Sequence, residues 1–329
     1  MQYPHSPDVA ERETSDDGFS SGWGAHHQPS EEYWIDCHTH MRESETGAVL
    51  DAIGPWSDRL DAWRLRRTVA VDGWPTNAAA FAAARDEDDR FAWLARLDYD
   101  DPDVEGLERC LSAGACGLKL HNAPVIRDAV DPAVWDSGEW HRVFDLLGEA
   151  DVPVLWHVTQ RHTDAPYTGG GRNTYWEDGW EKGYERDNVD LMQSFLDVVA
   201  EHPETDFVGA HQLHVGFDRL DDLFEAYPNL HVDTSIGCFV RWGDRLYPQD
   251  RDRARAFVCD WPDRVLFGTD CILGVDEIAE YTYQQFLGHV RYVRQLRLPN
   301  DELQQVSHGN AERLLGIEPV DVDHPGALR

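Results

Sequence analysis

Eight short β-prone runs alternate with amphipathic stretches, and this alternation restricts the fold more than any other feature. The seven steps from the first run to the last, counted from His38 to Asp270, have a mean length of about 33 residues, which is the length of one βαβ crossover. Eight such units predict an α/β fold, a closed (β/α)₈ TIM barrel with a parallel eight-stranded core. The runs are Tyr33–Cys37, Thr68–Val71, Phe91–Leu97, Cys116–Leu120, Pro153–Trp156, Asp206–Ala210, Leu230–Thr234 and Arg264–Gly268.

The stretches between the runs carry apolar residues at helical spacing. They predict helices over 77–89, 103–114, 139–150, 188–201, 217–227, 250–260, 282–297 and 310–316. An open doubly wound sheet is the competing architecture, but the first run lacks the Gly-rich turn of a dinucleotide-binding sheet.

The domain organisation follows from the same pattern. Residues 1–30 are polar and without periodicity, which predicts an acidic flexible tail before a single barrel domain over 31–329. The longest interruption of the strand–helix alternation, at about 160–187, is rich in aromatic residues and contains three consecutive glycines. Long loops in compact domains are usually functional or disordered, and aromatic enrichment argues against disorder, so we expect a lid-like insertion there.

The charge of the chain bears on its partners and on its solvent. Against 62 Asp and Glu stand 29 Lys and Arg, a formal net charge of −33, which repels nucleic acids and anionic membrane surfaces. Lysine is reduced to Lys119 and Lys182. Because self-repulsion of this size needs dense counterions for screening, we expect an acidic, halophilic protein.

Cysteine spacing and the absence of long apolar runs bear on localisation. The six cysteines form no CxxC pair and are too sparse for a disulfide framework. No apolar run reaches the length of a bilayer span, and the first 30 residues lack the features of a signal peptide. We therefore expect a cytoplasmic protein with a small-molecule substrate and no nucleic-acid or membrane partner, with a homodimer left open.

The strongest chemical signal lies at the end of the first run, where the chain reads Asp36-Cys37-His38-Thr39-His40. Side chains alternate between the faces of a strand, so His38 and His40 point the same way and both imidazoles can reach one ion. Two histidines at this spacing are common by chance, so this pair alone does not decide for metal binding.

Three further strand ends carry groups of the same chemistry, namely His157, His211 and Asp270. A core histidine bonded to a backbone carbonyl, or an aspartate capping a helix, explains each of them taken singly. The carboxyl ends of barrel strands converge on one mouth, however, so five titratable groups from four strands would meet there. Together they predict a metal site.

This arrangement resembles the amidohydrolase superfamily, whose members carry His-x-His on strand one, a histidine on strands five and six, and an aspartate on strand eight. The resemblance runs from about residue 33 to 316. Three shorter strings are similar to the amidohydrolase-related branch, which includes aminocarboxymuconate semialdehyde decarboxylase and several lactonases and hydratases. They are Gly117-Leu118-Lys119-Leu120-His121, Phe267-Gly268-Thr269-Asp270 and Gly309-Asn310-Ala311-Glu312-Arg313-Leu314-Leu315.

The resemblance implies one divalent ion held by His38, His40, His157 and Asp270. Imidazole nitrogen and carboxylate oxygen suit zinc, with manganese as the alternative. His211 would then orient the reacting water or move a proton, and Asp270 would share the handling of that proton.

Lys119 falls at the end of a predicted core strand, on the same face as His121. A buried ammonium must be neutralised, paired or chemically altered. Binuclear amidohydrolases carboxylate a lysine on strand four and use it to bridge two ions, which leaves a second ion open here. We favour an unmodified Lys119 that pairs with a carboxylate or with substrate, one ion, and His121 as a substrate contact.

Other polar groups are weaker candidates. Arg161 and Arg172, in or beside the interruption, could bind a substrate carboxylate through a bidentate guanidinium, or simply pair with surface acids. Asp72, Asp98 and Asp233 follow or close strands, and we expect them to cap helices or remain hydrated.

The favoured function is a metal-dependent hydrolase acting on a small carboxylic ester, lactone or amide through a metal-activated water. The first alternative is a decarboxylase or hydratase acting on an unsaturated or aromatic carboxylic acid at the same site, since a fold does not fix the reaction class. A non-catalytic metal-binding barrel is the third hypothesis. It is disfavoured because structural zinc is usually closed by four protein ligands.

Overall fold

The computed structural model describes residues 33–41, 64–122, 132–159, 188–235, 248–273 and 279–319. Nine parallel strands form one sheet, with neighbours in the order β8-β7-β6-β5-β4-β3-β2-β1-β9. The strands are β1 (Trp34–Met41), β2 (Leu65–Gly73), β3 (Phe91–Ala95), β4 (Leu118–His121), β5 (Val154–His157), β6 (Phe207–Gly209), β7 (Leu230–Asp233), β8 (Val265–Leu266) and β9 (Cys271–Leu273).

Helices alternate with these strands. They are α1 (Ala78–Glu87), α2 (Val104–Ser112), α3 (Gly138–Glu149), α4 (Asn188–Glu201), α5 (Phe217–Ala226), α6 (Pro248–Asp260), α7 (Ala279–Gln295), α8 (Asn300–Gln304) and α9 (Asn310–Leu315). Side-chain caps begin two of them: Asp103 accepts a hydrogen bond from the Gly106 amide, and Ser137 accepts one from the Trp140 amide. Such caps satisfy amides that have no partner within the first helical turn.

The barrel closes through the eighth strand, which is divided into two short pieces. β8 pairs with β7, and β9 pairs with β1 on the opposite edge of the sheet. Between the pieces, the Cys37 amide donates to the Phe267 carbonyl at 3.0 Å and the Asp270 amide donates to the His38 carbonyl at 2.8 Å. The two ends of the strand order therefore belong to one segment, and the sheet is a closed TIM barrel.

The predicted fold class is confirmed, and each of the eight predicted runs overlaps a strand of the sheet. All eight predicted helices are present as well, with ends that differ by a few residues. The predicted tail (1–30) and the lid-like insertion (160–187) lie outside the described residues, so both remain expectations. In the part of the chain that the structure describes, no helix has both the length and the apolar character needed to cross a bilayer.

Two apolar clusters show which side chains of the strands face the barrel interior and which face the helices. Ile35, Cys37 and Leu155 belong to a cluster inside the barrel, whereas Trp34 and Trp156 pack in the layer between strands and helices. Side chains thus alternate between interior and helix layer along each strand, as the pleat requires. The same alternation places Lys119 and His157, at the carboxyl ends of β4 and β5, on the interior face.

Strict alternation would turn His38 away from the interior face that carries Cys37. The register of β1 against β2 shifts between Asp36 and Thr39. Such an irregularity re-aims a side chain locally. Consequently His38 is fully buried and reaches Lys119, its Nε2 lying 3.0 Å from the Lys119 Nζ.

Candidate active site

Asp233, the last residue of β7, connects the histidines of the mouth. It is fully buried, and its Oδ2 lies 2.7 Å from His38 Nδ1. Its Oδ1 accepts hydrogen bonds from the His211 amide at 2.8 Å and the Ser235 hydroxyl at 2.6 Å. The expectation that Asp233 caps a helix or remains hydrated is wrong, because the strand end directs its carboxylate into the barrel.

These contacts determine which nitrogen of each imidazole carries the proton. The Asp233 carboxylate only accepts hydrogen bonds, so His38 donates from Nδ1 and its Nε2 presents a lone pair. Ser235 gives its single hydroxyl hydrogen to Asp233, and its oxygen lies 3.0 Å from His211 Nδ1. His211 therefore also donates from Nδ1 and presents its lone pair at Nε2.

Burial keeps both of these imidazoles neutral. Burial and the nearby Lys119 charge lower the pKa of His38 to about 4, and burial lowers the pKa of His211. Burial alone would raise the pKa of Asp233, but the hydrogen bond from His38 holds it well below its ordinary value. At neutral pH the imidazoles of His38 and His211 are thus neutral and lie beside the ionised carboxylate of Asp233.

Lys119 and Asp270 lie on the Nε2 side of His38. The Lys119 Nζ is 3.0 Å and the Asp270 Oδ1 is 3.4 Å from that nitrogen. Burial lowers the pKa of Lys119 to about 8. Burial opposes ionisation of Asp270, yet the neighbouring histidines His211, His40 and His38 lower its pKa below the ordinary value. Lys119 is buried, and its hydrogen-bond partner is His38 Nε2. Its pairing with a carboxylate or with substrate stays a prediction.

His40 lies nearer to solvent and is held between two carboxylates. Its Nε2 is 3.2 Å from Asp270 Oδ1 and its Nδ1 is 3.4 Å from Asp72 Oδ2. Burial alone would lower the pKa of His40, but the two carboxylates raise it to about 9. Asp72 in turn accepts from Arg96 at 3.0 Å and from the Met41 amide at 2.8 Å. Asp72 therefore positions a site histidine, which corrects the expectation of a cap or a hydrated group.

His121 and His157 continue the cluster along the neighbouring strands. The His121 and His157 rings are 4.2 Å apart, and the His157 and His211 rings are 4.5 Å apart, measured between centroids. Burial lowers the pKa of both His121 and His157 well below the ordinary value. Neutral imidazoles are the form that binds metal ions and accepts protons.

A left-handed turn follows β6 and sets the direction of His211. In the turn Ala210–His214, residues 211–214 have φ values between 52° and 59°. This conformation costs about 1–2 kcal/mol for each residue with a Cβ. The Gln212 side-chain amide offsets part of that cost by donating to the Asp233 carbonyl at 2.6 Å and the Ser235 carbonyl at 2.7 Å. Strain held in place by such contacts is typical of functional sites.

The donor chemistry of the mouth fits a divalent ion. One nitrogen each of His38 and His211 and one carboxylate oxygen of Asp270 all lie within 4.8 Å of one another. Behind them, Asp233 anchors the remote nitrogen of His38, the arrangement that orients metal-bound histidines in proteins. Nitrogen and carboxylate ligands of this kind suit zinc and other first-row divalent metals.

The predicted site residues fall into three groups. His38, His211 and Asp270 form the compact set, and His40 and Lys119 contact members of it directly. His157 and His121 adjoin the set through His211, by ring contacts. Arg161 and Arg172 lie outside the described residues. The structure adds Asp233 and Ser235, and their position at the end of the seventh predicted strand is the sequence signal that could have identified them.

A TIM barrel with histidines and aspartates from several strands at one mouth defines a metal-binding barrel enzyme. The sequence profile of the amidohydrolase family matches residues 35–317. The chain belongs to the amidohydrolase family and is an enzyme of the amidohydrolase superfamily, whose members use divalent metals. No curated protein sequence matches it.

Solved structures of this superfamily resemble the chain in fold. A probable 2-pyrone-4,6-dicarboxylic acid hydrolase from Acinetobacter baumannii, with citric acid bound, is 14% identical, with 87% of this chain and 100% of that chain covered and a TM-score of 0.57. A 2,6-dihydroxybenzoate decarboxylase from Rhizobium is 15% identical and has a TM-score of 0.57. The match covers 88% of this chain and 100% of that chain. An amidohydrolase from Burkholderia multivorans with bound zinc is 18% identical and has a TM-score of 0.54. The match covers 87% of this chain and 100% of that chain.

Proposed function

We propose that the protein is a metal-dependent hydrolase of a small carboxylic ester, lactone or amide. The observation that carries this proposal is the hydrogen-bonded chain Asp233–Ser235–His211. It fixes His211 as a neutral imidazole with its lone pair at Nε2, which is the form of a general base. A hydrolase needs such a base to take a proton from water.

His38, His40, His157 and Asp270 are the proposed ligands of one divalent ion, most simply zinc, with His211 beside them. When bound, a divalent ion supplies positive charge that polarises a carbonyl group and acidifies water. Asp233 holds His38 in the tautomer that presents Nε2 to an ion, and Asp72 positions His40. His211 accepts the proton of the attacking water, and Asp270 shares that proton with it.

Lys119 is the proposed group that binds the substrate. Its ammonium donates to His38 Nε2 in the described structure, at 3.0 Å. A lone pair serves one partner at a time, so the ammonium of Lys119 would be available for a substrate carboxylate if His38 Nε2 held an ion. His121, Arg161 and Arg172 are proposed as further contacts of the same substrate.

A lyase acting on an unsaturated or aromatic carboxylic acid is the second candidate. The observation in its favour is the same buried Lys119, whose pKa of about 8 allows it to bind a carboxylate and also to deliver a proton. The decarboxylase from Rhizobium shares the barrel fold, and one fold hosts both reaction classes.

Isotope labelling of the products separates the two reactions. The zinc-loaded protein is incubated with a panel of lactones, carboxylic esters and amides, and with aromatic carboxylic acids, in water enriched in ¹⁸O and in D₂O. Hydrolysis places solvent oxygen in the product without release of carbon dioxide. Decarboxylation releases carbon dioxide and places solvent deuterium on carbon.

We expect ¹⁸O incorporation from a lactone, ester or amide, and its loss in the variant His211→Asn. Carbon dioxide release with deuterium on carbon would instead establish the lyase. The control is Glu149→Gln, an exposed change on the outer helix α3, which leaves either activity unchanged.

A further inference from the structure

A second cluster of histidines lies outside the barrel, where α3 meets the end of α4. His141 is on α3, and Glu201 and His202 are the last residue of α4 and the residue after it. His141 Nδ1 lies 2.9 Å from His202 Nε2, and His141 Nε2 lies 3.9 Å from Glu201 Oε2. One ligand atom from each of the three residues lies within 4.8 Å of the other two.

The Asp145 carboxylate determines which ring nitrogen of His202 donates a hydrogen bond. Its Oδ1 lies 2.9 Å from His202 Nδ1, and a carboxylate only accepts, so His202 donates from Nδ1. The His202 Nε2 therefore presents its lone pair to His141 Nδ1. His141 can meet this lone pair with a hydrogen at Nδ1, and a metal ion bound by both nitrogens would take the place of that hydrogen.

We propose that His141, His202 and Glu201 form a surface site for a divalent transition-metal ion such as zinc. Two imidazole nitrogens and one carboxylate oxygen are a ligand set that zinc accepts, with a further position left to water. Two zinc-bound nitrogens in tetrahedral geometry are about 3.4 Å apart, so the observed 2.9 Å needs only a small side-chain movement.

The surroundings of the cluster suit binding from solution. The His202 side chain is only 5% exposed and is anchored by Asp145, whereas the side chains of His141 and Glu201 are 37% and 57% exposed. The rigid ligand is thus pre-positioned, and the two exposed ligands leave a path for the ion. Glu201 and Asp145 also give the cluster a negative potential that attracts a cation.

An ion here would connect α3, which precedes β5, to α4, which follows it. The site is separate from the barrel mouth, because it lies on the helix layer and shares no residue with the mouth. Ion binding would stabilise the folded protein by mass action and leave the catalytic groups unchanged.

The test is a zinc titration by competition with a chromophoric chelator, comparing wild type with His141→Ala, Glu201→Gln, Asp145→Asn and the control Glu149→Gln. Glu149 is an exposed carboxylate on the same helix as His141, so its variant has the same charge change as Glu201→Gln. Circular dichroism checks the fold of each variant. Binding of Co²⁺, followed by its visible absorption, reports the coordination independently.

We expect wild type and Glu149→Gln to bind one more zinc ion per chain than His141→Ala, with a matching rise in melting temperature. Asp145→Asn should keep the number of ions but weaken this site by about 10- to 100-fold, because it removes the group that orients His202. Equal numbers of ions and equal affinities in all five proteins would overturn the proposal. If His141→Ala folds poorly, an unchanged affinity in Glu201→Gln and Asp145→Asn overturns it as well.

Discussion

The molecule contains two histidine clusters with the same basic pair, an aspartate that anchors a histidine through Nδ1. The pair is Asp233 with His38 at the barrel mouth, at 2.7 Å, and Asp145 with His202 on the helix layer, at 2.9 Å. Their environments differ, because the Asp233 side chain is fully buried whereas that of Asp145 is 67% exposed. Burial, not the pair itself, determines how much each aspartate contributes, since solvent screens the outer pair.

The mouth also differs in its connections. Asp233 contacts His211 and Ser235 in addition to His38, and His38 contacts Lys119 and Asp270. A change at one member of such a network alters the protonation of the others. The outer cluster has four members and stands apart from the catalytic groups, so we expect changes there to remain local.

The largest expected effect is the loss of metal from the mouth. His38→Ala and Asp270→Ala should each empty the site and lower activity by more than about a thousandfold, because several kcal/mol of charge stabilisation disappear. Metal analysis of the purified variants is the measurement. Full occupancy of the mouth in either variant would remove that residue from the ligand set. Glu149→Gln, an exposed change on α3 outside both clusters, serves as the control.

His211→Asn separates a proton carrier from a ligand. An amide forms hydrogen bonds but does not exchange a proton at neutral pH, so we expect the metal to stay while activity falls by about 10²- to 10⁴-fold. The checks are the metal content and the pH profile, which should lose one limb. Loss of metal along with activity would show that His211, which lies in the compact set, is itself a ligand.

A direct comparison of the two aspartates tests the role of burial. Asp233→Asn breaks a buried pair and should lower the free energy of unfolding by about 3 kcal/mol or more. Asp145→Asn changes a carboxylate that is 67% exposed and should lower the free energy of unfolding by no more than about 1 kcal/mol. Denaturant unfolding of both variants, with a chelator present, measures the difference. Equal losses of unfolding free energy would contradict the idea that burial determines the contribution of each aspartate.

His289 on α7 shows what burial does to a histidine that pairs with no carboxylate of the described residues. Its Nδ1 lies 2.8 Å from the Gln285 carbonyl, and its Nε2 has no hydrogen-bond partner among the described residues. Burial lowers the pKa of His289 to about 4. Between about pH 6.5 and pH 4 the unfolded chain therefore binds more protons, so stability falls as the pH decreases through that window.

The variant His289→Gln should lose this part of the pH dependence. The difference between wild type and variant in how the free energy of unfolding changes from pH 7 to pH 5 should be about 2 kcal/mol. Denaturant unfolding at both pH values provides the comparison. Identical pH dependence in the two proteins would contradict the expected neutral, buried imidazole.

The smallest expected effect concerns salt, and it acts on the surface of both regions alike. We propose that the net charge of −33 reflects adaptation to high salt, so the melting temperature should rise by several degrees from dilute buffer to molar potassium chloride. A melting temperature that does not rise would contradict the halophilic interpretation.

Sequence patterns predicted the barrel because each strand is a local apolar run and each helix a local periodic stretch. They also placed His38, His157, His211 and Asp270 at one mouth, since chain order fixes which strand ends converge. The role of Asp233 was not predicted, because a carboxylate after a strand looks the same in sequence whether it caps a helix or faces the barrel interior.

Backbone irregularities were equally invisible in the sequence. One is the register shift between Asp36 and Thr39. The other is the positive φ of residues 211–214 and of Asp270, a conformation that residues with a Cβ rarely adopt. Non-local contacts hold them in place, and no local propensity signals them. Both irregularities act on groups of the site, where local rules are expected to fail.

The divided eighth strand has a consequence for the order in which the protein assembles. Thr269 donates to Asp36 across 233 positions of sequence, beside the point where the first and last strands meet. Contacts this distant in the chain carry the largest loop-closure entropy and form late. His38 is synthesised more than 200 residues before Asp270, so the pocket that would bind an ion does not exist until Asp270 has been added and the ring of strands has closed.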